Sequence, residues 1–226
     1  MSRSAGKRPR GAGPARDNAG KPRPSLAMVS PAVSKQTMHR ELPDYLRPGL
    51  KVVFVGFNPG ERSARIGHYY AGRNNQFWNF LFESGLVPVS LRPEDDCRVF
   101  DFGLGLTDVV KRWSKSSNNL RAADYRAGAP RLLAKIQEAS PRAVAFNGKV
   151  AYEKFSGRPA RLGWQPGMVA GGRVFVLPST SGRNGSLTRA AKLRYFRQLA
   201  RWVKRHCRDG FAPTQVATAF RPAIPA

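Results

Sequence analysis

Lys51 to Gly60 read K-V-V-F-V-G-F-N-P-G, an apolar run that ends in a glycine-bounded turn bearing one polar amide. Val52, Val53, Phe54 and Val55 show no polar alternation, the pattern of a central parallel strand covered on both faces. The chain must then turn. Gly56 and Gly60 open backbone conformations closed to other residues, Pro59 fixes φ, and Asn58 is held between them at the strand's carboxyl end. In an open α/β sheet that end is where ligands are met. Two readings of Asn58 stand at this point: the turn aims its amide outward as a chemical group, or the amide bonds its own turn.

Working outward, strands and helices alternate. A helix is expected near Asn75 to Ser84, stopped by Gly85, and a second helical segment from Pro93, where Glu94, Asp95 and Asp96 suit the positive end of the dipole. A short strand or turn follows at Leu106 to Asp108, then a loop over Ser114 to Asn119. A helix should fill much of Ala122 to Ala139, with Pro130 expected to break or restart it. Strand Arg142 to Phe146 leads through Gly148 and Lys149 into a short helix. Strand Arg173 to Leu177 precedes a helix over about Ser186 to His206, whose apolar stripe is Leu187, Ala190, Leu193, Phe196, Leu199 and Val203. This order predicts a three-layer α/β sandwich with a mostly parallel central sheet.

Residues 1–41 are dense in Gly, Pro, Ser, Lys and Arg and predict a disordered basic arm; 42–206 form one domain, and 207–226 an irregular tail. Pro and Gly density argues against an organellar transit peptide, and no apolar core follows the early charges as a secretory signal requires. Thirty-nine Lys and Arg against fourteen Asp and Glu give a net charge of +25, which calls for a polyanionic partner. No apolar stretch approaches the roughly 18 residues of a membrane span, so nucleic acid fits better than membrane. Cys97 and Cys207 make no disulfide framework and have no metal-ligand spacing, and His39, His68 and His206 are scattered. No metal or redox cofactor is expected.

Two further blocks narrow the reading. Gly67 to Trp78 read G-H-Y-Y-A-G-R-N-N-Q-F-W, and Val174 to Asn184 read V-F-V-L-P-S-T-S-G-R-N. With G-F-N-P-G they resemble the mismatch-specific uracil-DNA glycosylases, the family of bacterial Mug and animal thymine-DNA glycosylases, in one order from about Leu50 to Val203. That family carries a G-I-N-P-G strand end, an aromatic segment, an N-x-F-W helix start and a late V-L-P or M-P turn rich in Ser and Gly. The resemblance implies a uracil-DNA glycosylase-like fold.

It also implies roles. Asn58 matches the catalytic asparagine, with Gly56 and Phe57 beside it at the base pocket. An amide cannot remove a proton as a carboxylate can, so its role would be to orient water. Tyr70 falls where a ring stacks on the extruded base, its hydroxyl expected to stay in water; Tyr69 competes for that place, and either ring can instead pack a loop. Ser63 aligns with a pocket serine. Asn75 opens the N-x-F-W helix and is also its natural cap. Ser179 stands after Leu177-Pro178, where Mug-type enzymes have Asn and the best-known uracil-removing family has a His-Pro pair, so backbone N–H groups must replace an imidazole. Gly182, Arg183 and Asn184 resemble the wedge loop, Arg183 either filling the vacated stack or touching a phosphate. Lys149 holds a phosphate or is simply solvated. Asp108 departs from the Asn or Lys of relatives: it activates water or stabilises the cationic sugar, or it caps a helix over Val109 to Trp113.

The expected function is that of a monofunctional DNA glycosylase of base excision repair, flipping uracil from G·U mismatches and leaving an abasic site. No motif lysine is placed for a Schiff base. The partner is double-stranded DNA and the protein a monomer, in the cytoplasm with the nucleoid of a bacterium or in the nucleus of a eukaryote. The alternative is a non-catalytic basic protein of the same fold that recognises mismatched or damaged DNA. A nucleotide hydrolase is weaker, because neither G-x-x-x-x-G-K-[ST] nor G-x-G-x-x-G follows the first strand.

Overall fold

The computed structural model describes residues 41–207; the expectations for the basic arm and for the tail beyond Cys207 lie outside them. Five strands make one sheet in the order β2-β1-β3-β5-β4. They are β1 (Val52–Gly56), β2 (Leu104–Asp108), β3 (Ala143–Asn147), β4 (Gly163–Val169) and β5 (Gly172–Leu177). β1 pairs in parallel with β2 on one side and β3 on the other, β3 pairs in parallel with β5, and β4 closes the edge antiparallel to β5. The chain therefore leaves β1 in both directions across the sheet, the topology that in open α/β sheets places ligands at the carboxyl ends of the strands.

The expected three layers are present. Phe54 and Phe175 face one side, under Phe77 and Phe80 of α2 (Phe77–Glu83) and Phe196 and Leu199 of α5 (Arg189–His206). Val53, Val55, Val144 and Phe146 face the other, under Leu132 and Ile136 of α3 (Ala122–Ala139) and Phe155 of α4 (Lys149–Ser156). This alternation along β1 follows from the two-residue period of a strand.

Some expectations need correction. A short helix, α1 (Glu61–Ile66), ends at Gly67 with φ 82° and fills part of the stretch expected to be loop. β4 was not expected, because Gly163, Pro166 and Gly167 argue against a strand; its register breaks between Trp164 and Met168, and proline is tolerated on such an edge. α3 is unbroken through Pro130, an exposed position where the carbonyl left without a partner can meet water. Segment Pro93–Phe102 is a 3-10 helix, and Ser117–Asn119 form a 3-10 turn within the expected loop. α5 starts later than expected, Thr188 accepting from the Ala191 N–H at 3.2 Å as its cap. Its inner face uses Trp202, while Ala190 is exposed. Among the described residues no helix is long and apolar enough to cross a membrane.

Candidate active site

Gly56 ends β1 and stands in register with Asp108, which ends β2. A Cβ on Gly56 would sit 2.1 Å from Asp108 Oδ1 and 3.2 Å from the Tyr70 hydroxyl, so only glycine lets the two side chains meet over this backbone. Beyond β2 the chain does not form a helix. Val109 N–H donates to Gly56 O, Val110 N–H to Phe57 O and Ser114 N–H to Pro59 O, so the segment runs beside the N-P-G turn. The helix-cap reading of Asp108 is thereby excluded. Gly128 of α3 packs against this segment, where a Cβ would approach Val109 O to 2.2 Å.

Asn58 is fixed by its amide nitrogen, which donates to Pro59 O (3.0 Å), Arg112 O (3.2 Å) and Ser114 Oγ (2.9 Å). The Ser114 hydroxyl proton is committed to Ser116 O at 2.7 Å, so Oγ can only accept from Asn58. The nitrogen must face these acceptors, and no described residue donates to the amide oxygen. The amide nitrogen thus braces the turn, as one of the two readings of Asn58 has it, and the amide oxygen is left as an oriented acceptor.

Asp108 is 5% exposed, and its Oδ2 has no hydrogen-bond partner among the described residues. Burial pushes its carboxyl from 3.8 up to about 7; the Lys111 ammonium opposes the rise and the Asp44 charge adds to it. Lys111 itself donates to Asp44 (2.9 Å) and to the Tyr69 hydroxyl (3.2 Å). Burial also raises Asp44, but hydrogen bonds from Lys135, Thr107 and Lys111 outweigh it and hold the carboxyl below its ordinary range.

The two tyrosines separate cleanly. Tyr69 is 1% exposed, its N–H bound to Asp96 and its carbonyl accepting from Trp78, so it belongs to the core. Tyr70 stacks on Phe77 at 3.9 Å with 27° between planes, and its backbone takes φ 53°. Its hydroxyl is buried, contrary to the expectation that it stays in water, and has no hydrogen-bond partner among the described residues. Burial first and the Asp108 charge second push this phenol's ionisation upward, while the nearby Asn147 opposes the shift. Phe57 also departs from expectation: its ring packs on Tyr125 at 5.4 Å, with the α3 layer, so only its backbone lies at the pocket.

The other predicted residues surround this centre. Buried Ser63 accepts from the Ala71 N–H at 3.0 Å and pins the Tyr70 loop from below. Asn75 Oδ1 accepts from the Phe77 N–H at 3.0 Å, an Asx turn one residue ahead of the helix N-cap, which is Gln76 and not Asn75 as expected. Ser179 Oγ receives the Ser181 N–H at 3.4 Å, and the Ser179 side chain lies against Gly148, so the last turn sits beside the end of β3. Gly182 approaches Asn74 so closely that a Cβ would lie 2.5 Å from the Asn74 Cβ. Arg183 Nη1 donates to Lys115 O at 2.8 Å, and Asn184 O accepts from the buried Lys192 Nζ at 2.6 Å. Lys149 is exposed at the first turn of α4.

Asn147 was missed. It ends β3, donates to Thr180 Oγ1 at 2.8 Å and accepts from the Thr180 N–H at 3.1 Å, locking the last turn to the sheet. Its A-F-N-G context repeats the aromatic-Asn-turn pattern of F-N-P-G, and that repetition was the available signal. Among the described residues no group of three or more His, Cys, Asp and Glu side chains is placed to hold a metal ion.

Comparison with known proteins adds two findings. A solution NMR structure from Methanosarcina acetivorans, of a protein provisionally described as a uracil DNA glycosylase, is similar at 21% identity and TM-score 0.47, covering 72% of this chain and 98% of that one. The family model described as the uracil DNA glycosylase superfamily matches residues 43–204, nearly all of the described domain. The chain belongs to the uracil DNA glycosylase superfamily.

Proposed function

We propose that the protein removes uracil from DNA by hydrolysing its N-glycosidic bond, prefers uracil opposite guanine, and belongs to the mismatch-specific branch. The observation that carries this reading is that the buried Asp108 carboxylate and the Tyr70 hydroxyl both lie over Gly56 at the carboxyl ends of β1 and β2, two residues before the oriented Asn58 acceptor. The branch assignment rests on the G-F-N-P-G turn and the P-S-T-S-G-R segment.

In this mechanism the flipped base stacks on Tyr70, whose other face is supported by Phe77. Asn58 Oδ1 accepts a hydrogen from the attacking water and turns its lone pair toward the sugar's anomeric carbon. Asp108, ionised near neutral pH, takes the water's proton as the glycosidic bond breaks. The electron pair of that bond leaves with the base, where backbone N–H groups of the last turn stabilise it. Arg183 exchanges the Lys115 carbonyl for the DNA, filling the vacated stack or meeting a phosphate. The exposed Arg62, Arg65, Arg73, Lys115 and Lys149 supply contacts to the phosphate backbone.

Single-turnover assays on G·U, A·U and single-stranded uracil substrates test the reading. Release is expected in all that present the base, fastest from G·U, with abasic product and no strand cleavage. DNA binding without release would establish the non-catalytic alternative. Equal rates on G·U and A·U would remove the mismatch preference, and a borohydride-trapped adduct would remove the monofunctional mechanism.

A further inference from the structure

Four donors around Asp108 are engaged elsewhere. The Lys111 ammonium is drawn to Asp44 and to the Tyr69 hydroxyl, and the Asn147 amide to Thr180. The backbone N–H groups of Val109 and Val110 are held by Gly56 and Phe57. The Tyr70 hydroxyl is buried and unpartnered, and it lies on the same side of Gly56 as Asp108 Oδ1, whose carboxylate has its other oxygen, Oδ2, without a partner.

The chain holds that hydroxyl in place at a cost. A left-handed φ is unfavourable for a bulky residue, and such strain persists only where the surroundings enforce it. Here Phe77 fixes the ring from one face and Ser63 fixes the next backbone N–H, at Ala71. A base-stacking platform needs only the ring. It does not need a phenol buried beside an acid, across a residue that must lack a Cβ.

We propose that Tyr70 is a positioning residue for Asp108: its hydroxyl offers a hydrogen bond to the carboxylate over the bare Cα of Gly56 and so sets the pH range in which Asp108 serves as base. This rests on the reading of Asp108 as the water-activating group. With Asp108 protonated, the carboxyl is the donor and the phenol oxygen the acceptor; with Asp108 ionised, the phenol donates and keeps its proton. The charged and titratable groups facing Asp108 are then Tyr70 from the loop after α1, Lys111 from the loop after β2, Asp44 from the segment before β1, and Tyr69 beside Lys111. Of the two neutral phenols, Tyr70 is the one without a hydrogen bond, since the Tyr69 hydroxyl accepts from Lys111.

Tyr70→Phe keeps the ring and its stack and deletes only the donor. Single-turnover uracil release from G·U duplex, with enzyme saturating, is measured from pH 5 to pH 9, each profile normalised to its own plateau. Without the donor, ionisation of the buried acid is harder, so the acid limb should move upward by about half a unit to one unit, a 3- to 10-fold slower relative rate at a fixed pH on that limb. Asp108→Asn run in parallel separates the two claims. If it retains the wild-type rate and profile, the base assignment fails. If it loses rate and limb while the Tyr70→Phe profile superimposes on wild type, the base stands and the Tyr70 proposal is overturned. Should Tyr70→Phe fold poorly, wild-type protein labelled with ¹³C at Tyr70 Cζ gives a second readout. Its shift should follow the Asp108 titration, and a flat response through that range overturns the proposal.

Discussion

Asp108→Asn should stabilise the protein above neutral pH while disabling it. The folded carboxyl titrates at about 7 against an ordinary 3.8, so the folded state holds its proton more tightly than the unfolded state does. For such a group stability falls as pH rises through that window, the reverse of a salt-bridged carboxylate. Each pH unit is worth 1.36 kcal/mol, so the wild-type penalty is near zero at pH 4 and approaches an upper bound of roughly 4 kcal/mol at pH 8. Asn cannot ionise and escapes it. For a domain of this size 1 kcal/mol shifts Tm by about 2–4 °C, so the variant's advantage should grow from almost nothing at pH 4 to roughly 8–16 °C at pH 8. Calorimetric melts of both proteins at pH 4, 5.5, 7 and 8 test this. Single-turnover excision by the same variant should fall by about 10²- to 10⁴-fold, the range of a positioned acid or base. A stability difference that does not change with pH would refute the claim that a buried carboxylate is being ionised here at a cost. An unchanged excision rate would refute its use.

Asn58→Ala should slow base release severely while DNA affinity persists, since the phosphate contacts remain; near-normal single-turnover chemistry would remove Asn58 from the mechanism. Gly56→Ala places a methyl where Asp108 Oδ1 stands and should cost about 1–3 kcal/mol by overpacking, read by urea unfolding, with a larger proportional loss of excision than of stability. Asp96→Asn should destabilise the protein at neutral pH by about 1–3 kcal/mol, because an amide cannot accept from Tyr45, His68 and Tyr69 together; a thermal melt matching wild type would sink that account.

The frame of the site was legible because it rests on local patterns. The unbroken apolar run of β1, the G-F-N-P-G turn and the Ser- and Gly-rich end of β5 each announce themselves within ten residues. What could not be read depends on pairing between distant segments. The register that sets Gly56 against Asp108 joins positions 52 residues apart, and nothing local indicates that the carboxylate ends up buried. The path of residues 109–114 beside the N-P-G turn removed a helix that Asp108 was equally suited to cap. Phe57 is different, since strand alternation already placed it on the opposite face from Gly56.

Three locally unfavourable features fall on one spot: a left-handed tyrosine, a glycine that tolerates no side chain, and a carboxylate one of whose oxygens, Oδ2, is buried without a hydrogen bond. Chance clustering is a poor account, because other acids in this fold are well satisfied. Asp96 is 1% exposed, yet it accepts from Tyr45, His68 and the Tyr69 N–H; Asp44 accepts from Thr107, Lys111 and Lys135. A sequence able to serve those two carboxylates so fully has left Asp108 short, and natural chains break local rules where function requires it. Asp96→Asn and Asp108→Asn are the same chemical change in the same domain, expected to move neutral-pH stability in opposite directions. That opposition distinguishes a carboxylate kept for structure from one kept for chemistry.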